Sequence, residues 1–204
     1  MTVSTPSADP DRLAGKLPWF AVAAAALTAD LWTKHLVFYP AALDPSAEGR
    51  LVGTVCSWWQ IRIAYNPGAT FGLGAGFGPW VLAIGVSAVI VWLARTLWVT
   101  PRDERVKSFA LSIIIGGAIG NLYDRAIRPY FEADTRPGVR DFLDWYVPEG
   151  NALADWLHAH NVQTHWYTFN VADSLIVSGV VLLAWKILRE QPPEAGTAKG
   201  GGAA

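Results

Sequence analysis

The chain has 204 residues, of which 52% are hydrophobic, 16% are charged and 11 are Trp, with a formal net charge of −1. Soluble domains carry about a quarter charged residues, so this deficit, with a mean hydropathy of +0.25, points to a membrane protein. The charge balance offers nothing to nucleic acid, and the single Cys56 excludes an internal disulfide.

Residues 1–16 and 189–204 are small, polar and rich in Gly and Pro, and they read as disordered tails. Between them, residues 17–188 form one membrane domain. A helix needs about 20 mainly apolar residues to cross a bilayer. Four stretches qualify, at about 17–37, 77–99, 106–127 and 169–188. The first stays apolar to Val37, too far for a simple cleavable leader. Arg and Lys gather in residues 1–16, in the 95–107 turn and in the last tail. They are sparser in 38–76 and 128–167. Positive residues stay inside, so both termini are expected in the cytoplasm and the two long loops outside.

The first outer loop contains SWWQIRIAYN, residues 57–66. A period of two puts Trp59, Ile61 and Ile63 on one face and Trp58, Gln60 and Arg62 on the other, predicting a short strand or hairpin. Cys56 just before it reads as a small apolar residue. In the second outer loop, NALADWLHAHNV spaces Leu153, Trp156 and Leu157 along one face of an amphipathic surface helix. The expected class is therefore an all-α membrane protein: a four-helix transmembrane bundle with a small extracytoplasmic β element and a surface helix.

The polar residues of the spans converge on one depth. Asp30 and Lys34, four apart on one helical face, sit in the outer third of the first span. Asn66, Gly68 and their neighbours precede the second. The third ends in GGAIGNLYDR, with Asn121, Asp124 and Arg125, and the fourth opens with Asn170 and Asp173. Charge at the bilayer centre costs roughly 2.5–3.5 kcal/mol, so these groups are expected to face one another inside the bundle. Each cluster also has a structural reading. Asp30–Lys34 can be an ion pair, and Gly116 and Gly120 a close-packing stripe. Asn121, Asp124 and Arg125 can be a self-satisfied belt. Asn170 and Asp173 can be an N-cap and its third-residue acid. His158, His160 and His165 lack metal-ligand spacing and read as surface histidines. GAGFG at 74–78 has neither the strand nor the Lys of a phosphate loop.

Taken together these motifs resemble the bacterial lipoprotein signal peptidases (signal peptidase II). The match runs through Asp30-x-x-Thr33-Lys34, Asn66-x-Gly68-Ala69-x-Phe71-Gly72, Gly116-Gly117-Ala118-x-Gly120-Asn121-x-x-Asp124-Arg125, Val139-x-Asp141-Phe142 and Phe169-Asn170-x-Ala172-Asp173. The resemblance implies a four-span aspartic endopeptidase of the bacterial cytoplasmic membrane, with its active site near the outer face. Its substrates would be diacylglyceryl-modified prolipoproteins, cut just before the lipidated Cys. It implies Asp141 and Asp173 as the catalytic pair. Asp30, Lys34, Asn66, Gly68, Asn121, Asp124, Arg125 and Asn170 would bind substrate or support the site. No metal or other cofactor is implied. Lipid-modified prolipoprotein and membrane lipid are the expected partners, and the chain a monomer. Thr70 replaces a small apolar residue of the pattern, and the stretches on either side of Asp141 look longer than usual. Arg140 points away from Asp141 if the segment is extended; otherwise it stands where it can stabilise the ionised carboxylate. Asp144, three residues on, is a rival for the role of Asp141.

Two other classes fit parts of the pattern. A small transporter also keeps Asp, Asn, Arg and Lys between helices, but the cytoplasmic half of the third span and most of the second lack ionisable groups. A zinc membrane peptidase would need ligand spacing that the histidines do not show.

Overall fold

The computed structural model describes residues 10–41, 44–67, 79–132 and 136–190. Gly68, with Ala69, Phe71 and Gly72 of the same motif, lies outside them. The described elements are α1 (Pro10–Phe38), β1 (Leu51–Cys56), β2 (Trp59–Asn66), α2 (Pro79–Val99), α3 (Arg105–Ala126), α4 (Arg128–Phe131), β3 (Val139–Trp145), α5 (Ala152–Ala159) and α6 (Val171–Arg189).

Three helical segments are long and apolar enough to cross a membrane: Val81–Val99, Arg105–Ala126 and Val171–Arg189. The 29-residue α1 is longer than any of them but carries Lys16, Asp30 and Lys34. α3 is the most enclosed, packed against α1, α2 and α6. Its small residues allow this. A Cβ on Gly116 would stand 2.5 Å from the Ala23 carbonyl oxygen, and one on Gly120 would collide with the Asp30 carboxylate. Without those side chains the α1 and α3 backbones approach closely, as the Gly116–Gly120 spacing leads one to expect. An apolar cluster of Ala23, Leu93, Leu97, Leu111, Ile114 and Ile115 fills one part of the bundle. The α2–α3 turn is tied down by Lys16, which donates to the Thr100 carbonyl, and by Lys186, 2.6 Å from Glu104.

The sheet is the expected small β element in an otherwise helical chain, with one strand more than the predicted hairpin. It is a three-stranded antiparallel sheet in the order β1-β2-β3. β3 was not legible because VRDFLDW puts a charge on each face and so has no apolar alternation to read. The sheet rests on a second apolar cluster of Phe38, Ala47, Ile63, Tyr65 and Phe142. Phe38 meets Tyr65 edge-on at 5.2 Å between ring centroids and Phe142 at 6.5 Å. The end of α1 therefore carries the sheet.

The alternation expected of residues 57–66 is corrected too. Trp58 belongs to the hairpin turn, and β2 carries a bulge between Ile61 and Ala64. The extra residue switches the faces. Gln60 is buried along with Ile63 and Tyr65, three and five residues later. The surface helix is present as α5, capped by Asn151, with Leu153 and Trp156 exposed.

Burial of the Phe38 ring is expected to be worth about 3–5 kcal/mol when truncated. Phe38→Ala should therefore lower the thermal unfolding midpoint of the detergent-solubilised chain. Val89→Ala, on an exposed part of α2, should leave it nearly unchanged.

Candidate active site

The site is built around a buried lysine. Lys34 is fully enclosed on α1, and an ammonium has three N–H donors and no acceptor. All three are used. They reach Asp30 Oδ2 at 2.7 Å, Asp124 Oδ2 at 3.1 Å and Asn121 Oδ1 at 2.9 Å. The expected Asp30–Lys34 pair is thus present, and extended into a network.

Each acid of that network ties down another element. Asp30 Oδ1 accepts the Ala172 N–H at 2.9 Å, one of the orphan amides in the first turn of α6. Asp124 accepts from the Arg140 backbone N–H at 3.0 Å and from its guanidinium at 2.8 and 2.9 Å. Arg140 also reaches Glu132 at 3.1 Å. On extended β3 the Arg140 side chain points away from Asp141, as one of the two sequence readings expects. Asp124 is completely buried and committed to cations. Its partners include Lys34 and Arg140.

Asp141 and Asp173 have different company. Asp141, 2% exposed, accepts from Asn66 Nδ2 at 3.0 Å and from Asn170 Nδ2 at 2.7 Å. Asp173 accepts from Asn121 Nδ2 at 2.8 Å and from the Asn170 backbone N–H at 3.1 Å. Asn170 Oδ1 in return accepts the Asp173 N–H at 3.0 Å, which completes a capping box at the start of α6. The cap reading of these residues therefore holds, and it coexists with proximity to Asp141. Asn170 Nδ2 also donates to Asn121 Oδ1 at 3.0 Å. Two asparagines thus bridge the two carboxylates, and among the described residues the hydrogen bonds to both come from amide N–H groups. Burial, and then the nearby charge of Asp173, push the Asp141 carboxyl up to about 7 despite the hydrogen bonds from Asn66 and Asn170.

β3 is brought to α6 by backbone pairing. Phe169 N–H donates to the Leu143 carbonyl at 3.0 Å, and its own carbonyl accepts from Leu143 at 2.8 Å and Phe142 at 3.0 Å. Gly138 lets β3 begin close to β2. Its φ is 108°, and a Cβ there would stand 2.5 Å from the Asn66 carbonyl oxygen. Beside Asp173 opens an apolar cleft of about 550 Å³, lined by Trp145, Trp166, Phe169, Ser174, Val177 and Ser178.

The other candidates fall elsewhere. Arg125 lines a smaller cavity of about 150 Å³ with Pro67, Tyr130 and Gly138. Its charge is felt by Asp141 and Asp173, but it makes no hydrogen bond to either, and its Nε is buried without a partner. Asp144 is held by Gln60, Arg62 and His165. His158 stands near Glu149, and His160 against Trp156. The three imidazoles go to three different places. The sequence reading missed Arg140 and Arg128 as neighbours of Asp124. Arg128, 3.6 Å from Asp124 and four residues on, was open to the same spacing argument as Asp30 and Lys34.

A helical membrane domain with a polar knot and two amide-bridged carboxylates at one end has the makings of a membrane hydrolase, and comparison with known proteins gives the class. Residues 22–189 match the family model of signal peptidase (SPase) II. The chain belongs to that peptidase family. It is 35% identical over 176 residues to the lipoprotein signal peptidase of Rhodopirellula baltica, covering 81% of this chain and 69% of that one. Against the enzyme of the same name from Francisella tularensis subsp. novicida it is 33% identical over 173 residues, covering 82% and 89%. In fold it is similar to a bacterial membrane enzyme solved in meso at 1.9 Å resolution, with a TM-score of 0.61 at 20% identity over 85% of this chain and 94% of that one.

Removing the Lys34 charge leaves Asp30 and Asp124 buried with one cation fewer. Breaking a buried ionic network from one side typically costs about 3–5 kcal/mol. Lys34→Met should therefore show a large loss of thermal stability, whereas Arg50→Met, at an exposed pair with Asp44, should change it by about 0–1 kcal/mol.

Proposed function

We propose that the chain is an endopeptidase that removes signal peptides from diacylglyceryl-modified prolipoproteins, cutting before the lipidated Cys, with Asp141 and Asp173 as the catalytic dyad. The observation that carries this reading is the bridge through Asn170. One of its amide hydrogens goes to Asp141, while its backbone N–H and side-chain oxygen hold Asp173. Two carboxylates so placed hold a single proton near neutral pH. In the first half-reaction the ionised carboxylate takes a proton from water, and the resulting hydroxide attacks the scissile carbonyl. The protonated partner hydrogen-bonds the carbonyl oxygen and stabilises the tetrahedral intermediate. Collapse breaks the C–N bond. A proton from the dyad passes to the leaving amine, and the dyad returns to its singly protonated state. No covalent intermediate is required, and the pair titrates as a unit.

In this reading α1 crosses the membrane with α2, α3 and α6, both termini are cytoplasmic, and the sheet and α5 lie outside in the bacterial inner membrane. The apolar cleft beside Asp173 supports a substrate that arrives from the lipid, with its signal helix and acyl chains on that side. Lys34, the four acids around it and the asparagines gather at one end of the bundle, while the cluster of Leu93, Leu97, Leu111, Ile114 and Ile115 is apolar. That favours a site at one membrane face over a transport path. Gly68, outside the described residues, remains a proposed substrate-binding position, and Arg125 a source of positive charge for the developing oxyanion.

Asp141→Asn and Asp173→Asn should each reduce cleavage of a diacylglyceryl-modified prolipoprotein in detergent by at least about 10²–10⁴-fold. Full activity in either variant would overturn the assignment.

The pH dependence has a definite sign. Cleavage should fall as pH rises through about 7, where Asp141 loses its proton. Because its folded-state pKa lies above the ordinary 3.8, Asp141 contributes stability that is fully present below about 3.8 and lost as pH rises through about 7. The stability of Asp141→Asn relative to the parent chain should therefore be better at pH 8 than at pH 5, as read by thermal unfolding.

A further inference from the structure

Asp173, Ser174, Val177 and Ser178 of α6 all line the apolar cleft. Their spacing makes them one stripe of the helix. The stripe continues with Val181 and Trp185, which are also exposed. Along the helix axis it passes from a carboxylate, through hydroxyls, to hydrocarbon. Ser178 comes five residues after Asp173, which is about 7.5 Å along the axis.

A hydroxyl on a helix has a local partner to hand, the carbonyl four residues back. Ser87, Thr96, Ser112 and Ser174 each use it, donating to Ala83, Trp92, Ser108 and Asn170 at 2.7–3.1 Å. Ser178 does not. Among the described residues its hydroxyl has no hydrogen-bond partner. Trp166, 68% exposed, lines the same cleft, and its indole N–H has no partner among those residues either. The segment Val171–Arg189 is long and apolar enough to cross a membrane, and little of it is buried by the rest of the chain. In hydrocarbon an unpaired donor is costly. An apolar cleft with two such donors therefore favours an occupant that is mostly hydrocarbon and carries its own acceptors.

An acyl ester has that chemistry. Its carbonyl oxygen accepts, it has no N–H of its own to satisfy, and its chain is hydrocarbon. A diacylglyceryl-cysteine also sets its groups in the order of the stripe. The scissile amide comes first, the ester carbonyls follow a few bonds beyond the sulfur, and the acyl chains come last. With the amide at Asp173, the esters come level with Ser178 and the chains with Val181 and Trp185. The phosphate of a bulk phospholipid fits less well. Among the described residues that line the cleft, the one ionisable group is the acid Asp173, and two negative charges repel.

We propose that the Ser178 hydroxyl and the Trp166 indole N–H donate to the ester carbonyls of the lipid on the substrate Cys, which makes them specificity-determining residues for the ester-linked diacylglyceryl group. This inference rests on the prolipoprotein reading and says which atoms of the cleft recognise the lipid.

The test uses the purified full chain in detergent and two prolipoproteins that differ only in the lipid on the Cys. One carries diacylglyceryl, with ester carbonyls. The other carries dialkylglyceryl, with ether oxygens and chains of equal length. The parent chain should favour the ester roughly 3–10-fold in kcat/KM, as for a neutral hydrogen bond, with the difference in KM. Ser178→Ala, at an exposed position of α6, should lose most of that preference by its effect on the ester alone. Trp166→Phe, which keeps a ring, should narrow it as well. Equal kcat/KM for ester and ether in the parent overturns the proposal. So does a preference unmoved by both substitutions, or a loss in Ser178→Ala that falls equally on both substrates. A second measurement separates the cleft from the chemistry. N-acetyl-S-diacylglyceryl-cysteine amide and its ether analogue are titrated calorimetrically into Asp141→Asn, where the ester should bind tighter by a similar factor and Ser178→Ala should remove the difference. If the parent cleaves neither prolipoprotein, the functional reading fails and this titration alone decides the cleft. A diacyl phospholipid that displaces the cysteine ligand at equal concentration makes bulk lipid the occupant and overturns the proposal.

Discussion

Everything in the polar end of this molecule depends on the satisfaction of one ammonium. Lys34 lies in a fully buried position on a helix that must pack against apolar neighbours. An ion there is tolerable only when every donor has a partner. The three acceptors that meet this demand are Asp30, Asp124 and Asn121. Each then has a remaining group to place. Asp30 uses its second oxygen on the first turn of α6, Asp124 uses its own on Arg140 of β3, and Asn121 turns its amide toward Asp173. A helix, a strand and a catalytic candidate are positioned by the consequences of one buried charge.

The same network sorts the carboxylates into two kinds. Asp30 and Asp124 are neutralised by direct contact with Lys34 and, for Asp124, with Arg140. Among the described residues, the hydrogen bonds to Asp141 and Asp173 come from amide N–H groups. An amide donor stabilises a carboxylate but does not cancel its charge. Burial first, and the nearby Asp173 charge second, push the Asp141 carboxyl up to about 7. The two pairs of acids thus differ in the kind of partner that holds them. Here the division follows cations on one side and asparagines on the other.

Much of this was legible in the sequence because helices advertise themselves. The apolar runs gave the long helices, the four-residue spacing gave Asp30–Lys34, and the Gly116–Gly120 spacing gave the α1–α3 contact. Asn170 and Asp173 were readable as a cap, and the structure has that cap. The sheet was harder. β3 carries Arg140, Asp141 and Asp144 within five residues, so its two faces look alike to any hydropathy pattern. The bulge in β2 was invisible, since an extra residue leaves no mark on composition. It changed the face assigned to Gln60 relative to Ile63. Arg140 as a partner of Asp124 was hidden because it reaches that acid across a chain reversal, whereas Arg128, four residues on, was open to the spacing argument.

A strand acid and a helix-cap acid meet at this site, and each is fixed in a different way. Asp173 gives one oxygen to the Asn170 N–H, and so serves the helix start as any capping-box acid does. Its other oxygen faces Asn121, and the side chain borders the apolar cleft. The cap contact and the Asn121 contact use different atoms of one carboxylate. Asp141 supplies the complement from a strand, where its aim is set by register and not by helical pitch. A helix fixes an acid by its cap; a strand fixes one by its neighbours on both edges. Bringing the two together requires that the strand be paired to the residue before the cap, which is what Phe169 and Leu143 do. The placement of Asp141 beside the α6 cap is thus inherited from backbone hydrogen bonds.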